Sequence, residues 1–173
     1  GLTFVLDLET GEPLHPVEER PVPQTGQVPG EYLSPTQPFP LKPKPLHPLG
    51  ITPDDAWGFT FWDKQKCRAL LSQATTGPIY TPLTTKGTVM YPSNLGGNNW
   101  GAPAVDPERQ IMITNTKRTP IQVKLVPQAE CAGGEAFPQK GSPYCAEMKP
   151  LISPWGAPCT KPPWATLDAV DLS

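Results

Sequence analysis

GLTFVLDLETGEPL (Gly1–Leu14) and ATLDAVDLS (Ala165–Ser173) are two versions of one phrase, set at opposite ends of the chain. Each is a short alternating apolar run that closes on Asp-Leu, at Asp7-Leu8 and at Asp171-Leu172. Alternation at period two marks a strand with one covered face. In the first copy, Thr3–Leu8 is the predicted strand and Glu9-Thr10-Gly11-Glu12 the hairpin turn. Pro13–Val22 is its partner, an edge strand because Pro13, Pro16 and Pro21 cannot donate to a ladder. The second copy stops where its turn is due. The expectation is a repeated β architecture cut inside both copies, in which a site shared between repeats is incomplete.

Between these ends the pattern predicts strands at Gly87–Tyr91 (GTVMY), Ala102–Val105, Gln110–Asn115 (QIMITN), Ile121–Val126 (IQVKLV) and Ala165–Leu172. Asp106-Pro107-Glu108-Arg109 is a tight turn between two of them. The Asp-Leu pairs lie much further apart than a propeller repeat of roughly 40–50 residues. One blade swollen by two insertions fits, with Ala102–Val105, Gln110–Asn115 and Ala165–Leu172 as its strands. Residues 1–22 then end the preceding blade, residues 23–86 form the first insertion, and residues 87–173 hold most of the next blade with a cysteine-bearing loop at 127–163.

The first insertion opens with a proline-rich stretch, Pro23–Pro53. Pro38, Pro40, Pro43, Pro45 and Pro48 favour an extended, polyproline-like backbone. Such a stretch is also what SH3-type domains bind, but Phe39, Leu41, Leu46 and Leu49 suggest that it packs on its own protein. Thr52-Pro53-Asp54-Asp55 is a helix start: a capping hydroxyl, proline at the first position, and acids at the positive end of the dipole. Gly58 keeps that helix short, and a second start follows at Asp63. Cys67, Leu70, Leu71 and Ala74 then mark one face of a helix of about ten residues. The stripe reads as packing, and Gly77-Pro78 ends it.

Composition excludes several classes of function. The 14 Lys and Arg against 16 Asp and Glu leave a net charge of −2, with no electrostatic case for nucleic acid. No apolar run is long enough to span a bilayer. The 26 Pro and 15 Gly approach the proportion at which disorder competes with folding. Five Trp, four Tyr and five Phe, with well-patterned strands between the loops, argue for a folded chain with long ordered loops. The four cysteines are Cys67, Cys131, Cys145 and Cys159, with no CxxC pair, and His15 and His47 sit among prolines, so a zinc site is not expected. An even cysteine count in a loop-rich chain suits an oxidising compartment. Cys131–Cys145 is the pairing most readily closed, and four free thiols are an equal alternative.

Two places carry candidate chemistry. Asn94-Leu95-Gly96-Gly97-Asn98-Asn99-Trp100-Gly101 offers backbone that can approach a ligand, amides that donate and accept, and a flat indole. Together these suit a planar, polar-edged ligand, although on pattern alone a Gly/Asn-rich turn is the simpler reading. Asn115 stands at the predicted end of an apolar strand, where a turn residue is again the plain alternative. No nucleophile elbow, phosphate loop or dinucleotide fingerprint is present. Asp54-Asp55 is explained by capping, and Asp7 and Asp106 by turns.

FVLDLETGEPLHPVEERPVPQ, PGEYLSPTQPFP, TPDDAWGFTFWDKQKCRALL, GTVMYPSNLGGNNWGAPAVDPE and LISPWGAPCTKPPW run nearly end to end. Together they resemble the membrane-bound, pyrroloquinoline-quinone (PQQ)-dependent dehydrogenases of the glucose/quinate/shikimate group. The resemblance implies an all-β chain, part of an eight-bladed quinoprotein propeller, comprising about one blade and the end of the one before it, with long Pro-rich loops and one or two short helices. It implies a parent enzyme at the periplasmic face of the bacterial inner membrane, held by an N-terminal anchor and passing electrons to ubiquinone. Its substrate would be a sugar or cyclic polyol, most directly D-glucose oxidised to gluconolactone. Quinate, shikimate or another polyol is the alternative, and a non-enzymatic propeller scaffold a further one. PQQ would take the hydride, and Ca²⁺ or Mg²⁺ would polarise its carbonyl.

The family's catalytic Asp, its quinone-contacting Lys and its principal metal ligands correspond to positions before Gly1, so no catalytic or metal residue is expected here. The family's active-site Asn matches Asn115, and Asn99-Trp100 matches the region placed beside the cofactor. The resemblance thus gives Asn115, Trp100 and Asn99 roles in binding PQQ. The chain departs from the family at Pro163-Trp164-Ala165, where P-P-W-G is usual, and at Thr81-Pro82-Leu83-Thr84, where T-P-P-S is common. The loop with Cys131 and Cys145 varies among relatives and bears on the substrate mouth.

Overall fold

The computed structural model describes residues 2–94, 97–98, 101–131 and 136–173. Its strands are β1 (Val17–Pro21), β2 (Thr36–Pro40), β3 (Gly50–Ile51), β4 (Gly77–Pro78), β5 (Thr88–Met90), β6 (Ala104–Asp106), β7 (Ile111–Lys117), β8 (Ile121–Pro127), β9 (Ala136–Pro138), β10 (Tyr144–Pro150) and β11 (Ala165–Asp171). The longest helix among the described residues is α1 (Phe61–Gln73), preceded by a single 3₁₀ turn at Pro53–Asp55.

The opening hairpin has its turn but not its strands. The Asp7 carboxylate accepts from the amides of Glu9 (2.9 Å) and Thr10 (2.8 Å). Gly11 takes the left-handed conformation (φ 74°) that closes the turn. Regular pairing, however, is limited to one bridge between Leu6 and Pro13. Pro13 and Pro16 remove the amides that would extend the ladder. Past them, Val17–Pro21 does not return along Thr3–Leu8. It pairs with β2, in register from Val17↔Pro40 to Pro21↔Thr36. The proline-rich stretch therefore contributes a strand of its own, and it packs on its own protein: Phe39 is buried, and Arg118 donates to the carbonyl of Leu46 at 2.7 Å.

The helix starts follow the hydroxyls. Thr52 and Asp55 form a reciprocal cap on the 3₁₀ turn. The second start falls earlier than the pattern predicts. Thr60 accepts from the Asp63 amide at 3.2 Å, and the Asp63 carboxylate accepts from the Phe59 amide at 3.0 Å. Asp63 is thus the third residue of a capped helix that begins at Phe61, and it is buried. Gly58 permits this arrangement, because a Cβ there would lie 2.4 Å from the Lys64 nitrogen.

The predicted stripe lands in the core. Cys67, Leu71 and Ala74 cluster with Ile51, Ala56, Val89, Leu151 and Cys159, and Leu70 packs on the edge. Leu71 has no exposed surface, so Leu71→Ala is expected to destabilise the protein by ~2–5 kcal/mol, read from the denaturant midpoint. The core is stitched by a disulfide between Cys67 and Cys159, across 92 residues. Cys131 bonds Cys145 as one of the two sequence alternatives holds, and no cysteine is free.

Two sheets follow. The blade strands assemble as one antiparallel sheet in the order β11-β7-β6, with Leu167↔Asn115 and Ala169↔Ile113 in register. The second sheet has the order β5-β8-β10-β9, and it corrects the expectation that residues 127–163 form a loop. β10 pairs with β8 over seven positions, from Tyr144↔Pro127 to Pro150↔Ile121. Its sequence hides it. YCAEMKP buries two consecutive residues, Cys145 and Ala146, rather than alternate ones, so it lacks the period-two signature. Among the described residues no helix is long and apolar enough to cross a membrane.

Candidate cofactor site

β7 sorts its side chains by alternation. Met112, Thr114 and Thr116 are buried on one face, and Ile113, Asn115 and Lys117 stand on the other. Asn115 is therefore mid-strand rather than terminal, because the ladder with β11 runs on to Ala165↔Lys117. It shares the outward face with its cross-strand neighbour Leu167.

The Gly/Asn-rich segment comes back to this same strand end. Gly97 exchanges two backbone hydrogen bonds with Lys117, at 3.3 and 3.0 Å. It does so with φ of 64°, in the left-handed region. Gly101 then passes against Asn115. A Cβ on Gly101 would fall 2.7 Å from Asn115 Oδ1 and 3.1 Å from Nδ2. The structure thus brings Gly97 and Gly101 of the Asn94–Gly101 segment against Lys117 and Asn115 of β7. Asn99 and Trp100 lie outside the described residues.

Arg118, the residue after Lys117, ties down that end of β7. Its amide donates to the Trp164 carbonyl at 2.7 Å, and its guanidinium donates to Leu46 and to Thr166. Trp164 in turn donates to Thr160 at 2.7 Å and meets Trp57 edge to face. The outward amide of Asn115 therefore sits on a strand held by the proline-rich segment and by the loop before β11.

Gly101 closes the motif already singled out, and its close approach to Asn115 is the feature that the sequence does not announce. A side chain there must push the Asn115 amide aside. Gly101→Ala is expected to move that amide while leaving the fold intact, because the obstructing atoms belong to a side-chain end. A misplacement of about 1 Å can cost up to ~10²-fold in activity. The check is cofactor-dependent turnover alongside the thermal midpoint, with the first falling and the second holding.

The two turn carboxylates that the sequence singles out are already engaged. Asp106 is held below the ordinary carboxylate range, first by the Arg109 backbone amide and then by its guanidinium. Asp7 is held down likewise by the Thr10 amide. Both act as turn acceptors, as the sequence suggests. Among the described residues no group of three or more His, Cys, Asp or Glu side chains converges. What this face offers is the carboxamide of Asn115, which both donates and accepts, beside the ammonium-bearing Lys117 two residues on.

The family described as "PQQ: Glucose/ethanol/alcohol dehydrogenase, beta-propeller domain" matches residues 1–173. The chain belongs to this PQQ-dependent dehydrogenase family. It is similar to the quinoprotein glucose dehydrogenase of Escherichia coli (strain K12), 39% identical over 186 residues, covering 99% of this chain and 23% of that protein. Quinoprotein glucose dehydrogenase A of Acinetobacter calcoaceticus is 39% identical over the same shares. The quinate/shikimate dehydrogenase (quinone) of Acinetobacter baylyi is 34% identical, covering 99% and 23%. No solved structure matches. The PQQ-dependent dehydrogenase chain thus spans about a quarter of the length of these relatives, as propeller-domain sequence with many strands and few helices.

Proposed function

We propose that the protein oxidises a sugar or cyclic polyol, D-glucose to gluconolactone in the first instance, with PQQ held against Asn115, Trp100 and Asn99. The observation that carries this reading is the Asn115 amide packed against Gly101, where only a residue without a side chain leaves it room. The residues present fit a flat, polar-edged group, because the amide can meet rim oxygens and the glycine backbone can approach a face. When bound, PQQ supplies the acceptor for the substrate's hydride, with Ca²⁺ or Mg²⁺ as Lewis acid.

This chain's part is positional. Asn115 donates to quinone oxygens and sets the ring's orientation. Trp100 covers the ring and excludes water, and Asn99 adds a second amide. The base that takes the substrate's hydroxyl proton and the lysine that contacts the quinone are supplied by sequence other than this, so the isolated 173-residue chain is inactive. The full enzyme delivers electrons to ubiquinone at the periplasmic face of the inner membrane, held by an N-terminal anchor.

The test is dye reduction by the full-length protein reconstituted with PQQ and Ca²⁺ or Mg²⁺, offered D-glucose, quinate, shikimate and glycerol in turn. Turnover with glucose supports the reading. Turnover with quinate or shikimate alone favours the second reading, which the similarity to the Acinetobacter baylyi enzyme motivates. Absence of both turnover and PQQ binding would make the protein a scaffold.

A further inference from the structure

β7 presents Ile113, Asn115 and Lys117 on one face. By register, Ala169, Leu167 and Ala165 of β11 stand beside them. Over these positions the face carries one carboxamide and one ammonium, and no carboxylate. The acids that share its parity, Asp106 and Asp171, pair with Ile111. That is the far end of the strand, about 20 Å from Lys117. Both are occupied there by backbone amides, Asp106 by those of Glu108 and Arg109 and Asp171 by that of Ser173. Asp168 pairs with Thr114 and so belongs to the opposite face, where it accepts from the Thr166 hydroxyl at 2.8 Å.

The backbone of Lys117 is fixed on both flanks. Gly97 exchanges hydrogen bonds with it on one side, at 3.3 and 3.0 Å, and Ala165 pairs with it on the other. A glycine and an alanine leave the lysine stem an open course away from the sheet. Lys117 is exposed, and among the described residues it joins no ion pair. It leaves the strand on the same face as Asn115, about 7 Å further along, so one ligand can meet the amide and the ammonium together. A cation on a stretch of sheet without acids favours an anionic group, and an ammonium–carboxylate hydrogen bond is roughly twice as strong as a neutral one. PQQ carries carboxylates on its rim, as do quinate and shikimate on their rings, whereas D-glucose carries none.

We propose that Lys117 binds a carboxylate of the ligand held by Asn115. The contact rests on the cofactor reading of Asn115, and it is separate from the family's quinone-contacting lysine, which corresponds to a position before Gly1.

The test is titration of the full-length apoprotein with PQQ in the presence of Ca²⁺, read from the absorbance of the bound cofactor, without substrate or turnover. In Lys117→Met, binding should be about 10-fold weaker and less sensitive to salt than in the wild type, because an exposed charge contact is screened. The thermal midpoint should hold, and Lys117→Arg should restore both affinity and salt dependence. That outcome assigns the carboxylate to the cofactor. Where PQQ affinity is unchanged in Lys117→Met, KM decides: a rise of about 10-fold for quinate with none for D-glucose assigns the carboxylate to the substrate. Unchanged PQQ affinity with an unchanged ratio of the two KM values overturns the proposal. So does a loss that Lys117→Arg fails to restore, which would make the role one of packing. PQQ bound by the wild type, with no effect of Lys117→Met in either arm, defeats this inference alone. No PQQ bound by the wild type defeats the cofactor reading and this contact with it.

Discussion

Asn115→Ala is expected to lower kcat/KM of the full-length, PQQ-reconstituted protein by about 10²–10³-fold, the range seen when one positioned donor is removed from a reacting oxygen. The amide stands on the outward face of β7, where alanine removes no buried packing, so the thermal midpoint should hardly move. Asn115→Asp should be at least as damaging, because a carboxylate accepts where the amide donates. Gly101 makes this loss specific. If Asn115 acts through the direction of its amide, Gly101→Ala should reproduce part of the defect without touching the amide itself. Full activity in Asn115→Ala would remove the residue from the cofactor site.

Replacing Cys67 and Cys159 together by alanine is expected to cost about 4–5 kcal/mol of stability, from the loop-closure entropy of a bond spanning 92 residues. The Cys131–Cys145 bond spans 14 residues, for which the same argument gives about 3 kcal/mol. Both Cys67 and Cys159 have no exposed surface. They tie α1 to the segment that continues through Thr160 and Trp164 into β11. Losing that tie loosens the partner of β7 and so the backing of Asn115. Denaturant unfolding of the wild type and the double variant measures the effect. A difference below about 1 kcal/mol would mean that the core holds α1 without the bond.

The parts of the fold legible in the sequence are those where one local rule acts alone. The alternation of QIMITN and ATLDAVD placed β7 and β11, and their register follows. Thr52 and Thr60 cap helices as short hydroxyl side chains do, although the cap at Thr60, rather than Asp63, sets where α1 begins. The Cys67–Ala74 stripe reached the core as read. What escaped was decided at long range. Val17–Pro21 chose β2 over Thr3–Leu8 because Pro13 and Pro16 stop the nearer ladder. β10 is recruited by β8 despite a pattern with no clean period. Cys67 finds Cys159 only because the core brings them together. At the site, Asn115 and the Gly/Asn segment were each legible, but their meeting was not. It depends on the Gly97–Lys117 bridge, which no spacing rule encodes.

An experimental density map of the full-length protein with PQQ bound decides whether this face of β7 holds the cofactor. The expected result is the Asn115 amide within hydrogen-bond reach of a quinone oxygen, at about 2.7–3.2 Å, with Gly101 packed against the same amide. PQQ bound elsewhere, with the Asn115 amide facing another part of the propeller, would contradict it.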